Sequence, residues 1–216
     1  VSSAPGATID ATVAGESRAY RGAIACHAED SAVLLVNIVH VDDYLMSVVG
    51  GEIGEAPPAA MQAQAICARN QAFENVGLSK FHSLAYDLDD TVRTQVYQGV
   101  ADESPRTRSA VRSTRGSVLT VGDEVCVAPF HGCCGGVTAD SGDIWMGEPL
   151  PHLAARLDVA EARDAPDLSS DAAVRDFLAH PPSPMCLPAA DASESVREQF
   201  RWTVEYTAAA LGRAVG

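Results

Sequence analysis

Val41-Asp42-Asp43-Tyr44-Leu45-Met46-Ser47-Val48-Val49-Gly50-Gly51-Glu52 is the stretch from which the fold is read. Asp42 and Asp43 stand where the positive end of a helix favours acidic side chains, so a helix starts there. Leu45, Val48, Val49 and Glu52 follow at offsets of 0, 3, 4 and 7, which is one helical face. The Gly50-Gly51 pair is expected to end the helix nearby. If the helix persists to Glu52, that carboxyl closes an apolar stripe beside two glycines that leave room for a ligand. It is then placed to donate a proton. The competing reading is a solvated glutamate at a helix end, which is how Glu55, off the apolar face, is read.

Outward from this helix, Arg18 to Cys26 and Ala32 to Val39 read as two strands joined by the polar turn Ala28-Glu29-Asp30. Residues 1–16 are small and weakly patterned, a loose N-terminal segment. Downstream, Pro57-Pro58 opens a helix with an alanine face (Ala65, Ala68, Ala72) narrow enough for close packing, and Gly77 is its expected stop. Ser104-Pro105 opens a third helix, ending at Gly116. Ser117 to Val121 and Glu124 to Ala128 form a hairpin about Gly122-Asp123. Further on, Asp158 to Ser170 reads as a connecting loop and Ser170 caps a helix through Leu178. Phe200 to Tyr206 reads as a strand, and Thr207 starts a last helix. Hairpins and helices mixed unevenly predict an α+β fold.

Composition narrows the function. Hydrophobic content of 47% and charged content of 20% fit a globular chain. A net charge of −14 argues against nucleic-acid binding, which needs clustered Lys and Arg, whereas an uncharged polysaccharide needs no basic patch. The longest apolar run, Ala32 to Val36 with Ile38 and Val39 behind it, is too short for a transmembrane segment. Val1 opens the sequence with neither a basic stretch nor an apolar signal, so the protein is cytosolic or a targeting segment has been removed.

Three further sets of residues could carry chemistry. Arg69 shares a helical face with Gln62, Ile66 and Phe73, and either packs there or holds a carboxylate or carbonyl. Phe130-His131-Gly132-Cys133-Cys134-Gly135-Gly136 suggests a cysteine hydrolase, but adjacent residues in a loop rarely face one another. The six cysteines match no zinc spacing. Neighbouring Cys133 and Cys134 cannot easily bridge each other, which leaves a disulfide from the pair to Cys186 or a set of buried free thiols. Trp145 reads as core in preference to a sugar-stacking platform.

Taken together, the motifs resemble those of the SpoIID/LytB (stage II sporulation protein D) family. Val41 to Glu52 is similar to its "EDYLxGVVxxEM" signature, and Ala60 to Arg69 to its "ALKAQAxAAR" helix. Tyr86 to Tyr97 resembles "YDLxDTxxxQVY", Thr114 to Thr120 "TxGxVLT", and Phe130 to Ser141 "YHSxCGGxTxxS". Phe177-Leu178, Cys186 and Phe200-Arg201-Trp202 look like the tail of a subset of members. The matches occur in order over residues 20 to 206.

The resemblance implies one such domain over residues 17–216, with a substrate cleft, working outside the cytoplasm after loss of any signal segment. It implies a lytic transglycosylase that cuts the MurNAc–GlcNAc bond of peptide-stripped peptidoglycan. Glu52 would serve as general acid and then general base, and no cofactor is expected. Arg69, Gln95, Tyr97, His131 and Ser141 would lie around the cleft, and Cys186 would pair with Cys133 or Cys134. The alternative within the family is a non-catalytic peptidoglycan binder that enhances a partner amidase. Several positions depart from the pattern. Arg93 and Thr94 stand where some relatives carry a zinc-binding His-Cys pair, so no metal is expected there. "EMP" reads Glu52-Ile53-Gly54, and Ala59 replaces the acid of "PxEAL". The Gly-His-Gly-rich segment that usually closes the domain does not occur in the 216 residues.

Overall fold

The structure, a computed structural model, describes residues 6–13, 15–29, 32–76, 85–145, 147–161 and 163–215. The chain forms two compact units, Val1–Phe130 and His131–Gly216. Both combine helices with two-stranded antiparallel sheets, the expected α+β arrangement.

The first unit opens with β1 (Ile9–Val13) paired to β2 (Glu16–Tyr20), followed by β3 (Ala23–Glu29) paired to β4 (Ala32–Ile38). The expected loose segment 1–16 thus holds a strand, and the expected continuous strand Arg18–Cys26 is broken in two. Gly22 breaks it: its φ is +78°, and a Cβ there would lie 2.2 Å from the Ile38 carbonyl oxygen. The corner lets β2 turn away to β1 while β3 runs on with β4.

Helix α1 (Val41–Ile53) follows. Its cap is His40, whose Nδ1 accepts from the Asp42 N–H, and Asp42 and Asp43 fill the first turn. Gly50 and Gly51 do not end it, because the chain closes over them. A Cβ at Gly50 would lie 1.9 Å from the carbonyl oxygen of Asp102. The helix ends at Gly54, in a positive-φ conformation, after Glu52 has been placed in the last turn.

Helices α2 (Pro58–Asn75) and α3 (Pro105–Ser113) pack on α1. Ser104 caps α3 through a reciprocal box with Thr107. Leu45, Val48 and Val49 meet Met61, Ala65, Ala68 and Ala72 of α2 and Ala110 and Val111 of α3. Tyr44 to Val49 are all buried, so α1 is a central helix enclosed on several sides. Gly77, the expected stop of α2, lies outside the described residues. Arg21 clamps Glu103 with two hydrogen bonds of 2.7 and 2.9 Å, tying the Gly22 corner to the segment that enters α3. A short hairpin, β5 (Thr120–Val121) with β6 (Glu124–Val125), ends this unit.

The second unit contains α4 (Ser141–Ile144), a 3₁₀ turn (Pro151–Leu153), and β7 (Arg156–Leu157) paired to β8 (Arg163–Asp164). Helices α5 (Asp171–Ala179), α6 (Glu194–Phe200) and α7 (Ala208–Val215) follow. Ser170 caps α5 as expected, accepting from Ala173 N–H. The expected loop Asp158–Ser170 holds β8, and Phe200–Tyr206 is not a strand: Phe200 ends α6 and the rest is irregular. Trp145, expected in the core, is half exposed. Arg201 pins the tail to the glycine-rich loop by donating to the Gly135 carbonyl at 2.6 Å and lying over the rings of Phe200 and Phe177. No helix among the described residues is long and apolar enough to cross a membrane.

Candidate active site

Glu52 reaches the surface at the end of α1 because that helix runs three residues past Gly50. Its side chain lines a pocket of about 220 Å³ with Gln71, Val92, Thr94, Pro129 and Phe130. Oε1 of Glu52 accepts the N–H of Val96 at 2.9 Å. Among the described residues the carboxylate makes no ion pair and no other hydrogen bond. Gln71 and Thr94 supply polar atoms to the wall, and Phe130 and Val92 an apolar surface.

The segment that carries Val96 is fixed on both sides. Gln95 is fully buried; its Oε1 accepts from Tyr44 Oη at 3.0 Å and its Nε2 donates to the Ala68 carbonyl at 3.3 Å. Tyr97 donates to Asn37 Oδ1 at 2.6 Å, and its ring packs in tilted contact with Tyr44 and Tyr20, centroids 5.0 and 6.1 Å away. Burial, and next the neighbouring phenol of Tyr97, push the Tyr44 hydroxyl far up; burial does the same for Tyr97. Both stay neutral donors. One residue on, Gln98 N–H donates to Ser47 Oγ at 3.3 Å.

The turn before this segment is built on Asp89. Its Oδ1 accepts from the Thr91 N–H, the Thr91 hydroxyl and the Thr94 hydroxyl, and its Oδ2 pairs with Arg93 at 3.2 Å. Burial alone would raise the Asp89 carboxyl, but the hydrogen bonds and Arg93 outweigh it and hold the group below its ordinary value. Thr94 thereby enters the pocket wall in a fixed rotamer.

Of the expected site residues in this unit, only Glu52 lines the pocket. Arg69 is 1% exposed and donates to the Ser117 carbonyl at 3.0 Å while facing Asp42 at 3.4 Å. It holds the start of α1 against the chain after α3, the packing role its helical face allowed. Gln95 and Tyr97 position Val96, and through it Glu52. His131 and Ser141 belong to the second unit. His131 is exposed there, and Ser141 is buried with its Oγ accepting from Leu150 N–H at 2.8 Å. Cys134 faces Cys186, with the sulfurs 3.4 Å apart, and neither Cys133 nor Cys134 hydrogen-bonds His131 among the described residues. Gln71, Val92, Thr94, Pro129 and Phe130 were not singled out from the sequence as pocket residues. Thr94 and Phe130 did fall inside the quoted motifs, whereas nothing in the helical pattern marked Gln71.

Comparison with known proteins matches residues 29–121 to the family model described as "SpoIID: Stage II sporulation protein". The match includes Glu52, Arg69, Gln95 and Tyr97. The chain is also 30% identical over 135 residues to an uncharacterized protein of Brachyspira hyodysenteriae. That alignment covers 62% of this chain and 36% of the relative, so the chain spans about a third of that protein's length. No solved structure matches the chain.

Proposed function

The chain belongs to the SpoIID family through residues 29–121, and from that premise we propose that it works on the bacterial cell wall as a peptidoglycan lytic transglycosylase. The observation that carries this reading is the Glu52 carboxylate, held through Oε1 by Val96 N–H in the lining of a pocket. A single positioned carboxyl suffices for this chemistry. Protonated Glu52 would give its proton to the glycosidic oxygen as the MurNAc–GlcNAc bond breaks. The resulting carboxylate would take the proton of the same MurNAc 6-hydroxyl as that oxygen attacks the anomeric carbon. A 1,6-anhydro end results and Glu52 is protonated again, so no second carboxylate is needed to activate water. Phe130 offers the flat apolar surface on which a sugar face packs, and Gln71 and Thr94 offer hydrogen bonds to its hydroxyls. Such a substrate places the working protein outside the cytoplasm.

A second reading is a peptidoglycan-binding enhancer of a cell-wall amidase. It is favoured by one observation: Arg69, Gln95 and Tyr97 direct their polar atoms to internal partners, which leaves few groups to grip a transition state. Incubation with purified peptide-stripped glycan strands, followed by mass spectrometry, separates the two. Anhydro-sugar ends are expected. Tight binding with no new ends would favour the enhancer.

A further inference from the structure

The second unit carries a cluster of metal-ligating side chains unrelated to the Glu52 pocket. Cys134 lies in the glycine-rich loop, Asp158 directly follows β7, and Cys186 sits in the turn after Pro184. The two sulfurs are 3.4 Å apart. One ligand atom from each of the three residues lies within 4.8 Å of the others.

The backbone holds the three segments together. Asp158 N–H donates to the Gly136 carbonyl at 3.0 Å, and the Asp158 carbonyl accepts from Met185 N–H at 2.8 Å. Asp158 Oδ2 accepts the N–H of Cys186 at 2.8 Å, and Gly136 N–H points at Cys134 Sγ at 3.4 Å. These are the outer hydrogen bonds that orient carboxylate and thiolate ligands in metal sites. The Cys134 and Cys186 sulfurs both lie beside the Asp158 carboxylate.

We propose that Cys134, Cys186 and Asp158 form a three-ligand binding site for a zinc-like divalent cation, whose fourth position a water takes. Tetrahedral geometry with Zn–S of about 2.3 Å sets two sulfurs about 3.8 Å apart, and a carboxylate oxygen about 3.6 Å from each. The sulfurs, 3.4 Å apart, need to part by only a few tenths of an ångström to meet that. Binding exchanges one divalent cation for the protons of the two thiols. A disulfide would instead require the sulfurs to close to about 2.05 Å, and it would give Asp158 nothing to ligate.

The unit also has cause to use such a staple. Phe200 and Pro184 are its buried apolar side chains among the described residues, and Leu178, Trp202, Tyr206 and Leu211 are at least half exposed. A core this thin is where small units recruit metals or disulfides.

The test uses the full chain, reduced and then freed of reductant without oxygen. Titration with Co²⁺ should give a thiolate-to-cobalt charge-transfer band that saturates at one ion per chain, and elemental analysis after Zn²⁺ dialysis should find one zinc. Cys186→Ser and Asp158→Asn should each weaken the ion's binding at least tenfold, while Cys26→Ser, at an exposed position in the first unit, should not. Either of two cobalt results overturns the site. One is absence of the band in the wild-type chain, a readout that depends on no variant folding. The other is a band that survives in the Cys134→Ser/Cys186→Ser double variant. A Cys134–Cys186 disulfide recovered from freshly isolated protein, with no metal taken up after reduction, also overturns it.

Discussion

The N–H of Val96 donates to Oε1 of Glu52 at 2.9 Å, joining the last turn of α1 to a chain segment 44 residues away. Gln95 and Tyr97, on either side of Val96, are buried and anchored to different elements, so the donor cannot drift. The carboxylate is therefore set by the first unit's core. Preorganisation of this kind is what acid–base catalysis requires of a lone carboxyl.

Glu52→Gln keeps an acceptor for Val96 N–H and the same volume, but it cannot carry the proton. Cleavage of denuded glycan strands should fall by about 10²–10⁴-fold, the usual worth of a general acid–base group. The unfolding midpoint should hardly move. Retention of full cleavage in a pure variant preparation would sink the transglycosylase reading.

Arg69 should behave as a structural residue. The side chain is 1% exposed and Asp42, its partner, 14%. Asp42 keeps its ion pair with Arg115 at 3.1 Å, so the cost of removing Arg69 comes from the unsatisfied Ser117 carbonyl and the lost packing, about 1–3 kcal/mol. Arg69→Ala should show that loss in urea titration. An equally stable variant that had lost only glycan binding would place Arg69 in the cleft after all.

Asp89 predicts a pH dependence with a definite sign. Its folded pKa lies below the ordinary 3.8, because the bonds from Thr91, Thr94 and Arg93 outweigh burial. The stability it contributes is fully present above the unfolded value and is lost as pH falls through the folded one. Asp89→Asn should be less stable than wild type at pH 6, and the difference should shrink at pH 3. Parallel stability curves down to pH 3 would show that the turn does not draw on this charge.

The sequence showed the helices better than the cleft, and for physical reasons. Offsets from Leu45 to Glu52, the proline openings at Pro58 and Pro105, and the cap at Ser104 are local signals, and each marks a helix in the structure. The break at Gly22 was hidden because its cause, the Ile38 carbonyl, comes from another strand. Phe200, Trp202, Val204 and Tyr206 alternate as a strand would, but no neighbouring strand pairs with them among the described residues, and alternation alone does not make a sheet. Motif membership marked Gln95 and Tyr97 as important without saying that they act through Val96. The sequence reading brought Cys186 to Cys133 or Cys134, but nothing marked Asp158, which joins them from a separate segment.

Gly50 offers the sharpest test of how Glu52 is presented. Within a helix, alanine is favoured over glycine by about 1 kcal/mol, so an exposed Gly50→Ala would stabilise. Here the added Cβ would stand 1.9 Å from the carbonyl oxygen of Asp102 and 2.9 Å from its carbonyl carbon. Neither is the movable end of a side chain, so the backbone around Asp102 must shift. Glu103, next in sequence, is the residue clamped by Arg21 and also paired with Arg108, which resists that movement. The overpacking should therefore outweigh the gain in propensity, with a net loss of about 1–3 kcal/mol in denaturant titration. Glycan cleavage per folded molecule should fall as well, because the displaced chain carries Val96 six residues upstream of Asp102. A variant as stable and as active as wild type would mean that α1 does not pack under this segment as described.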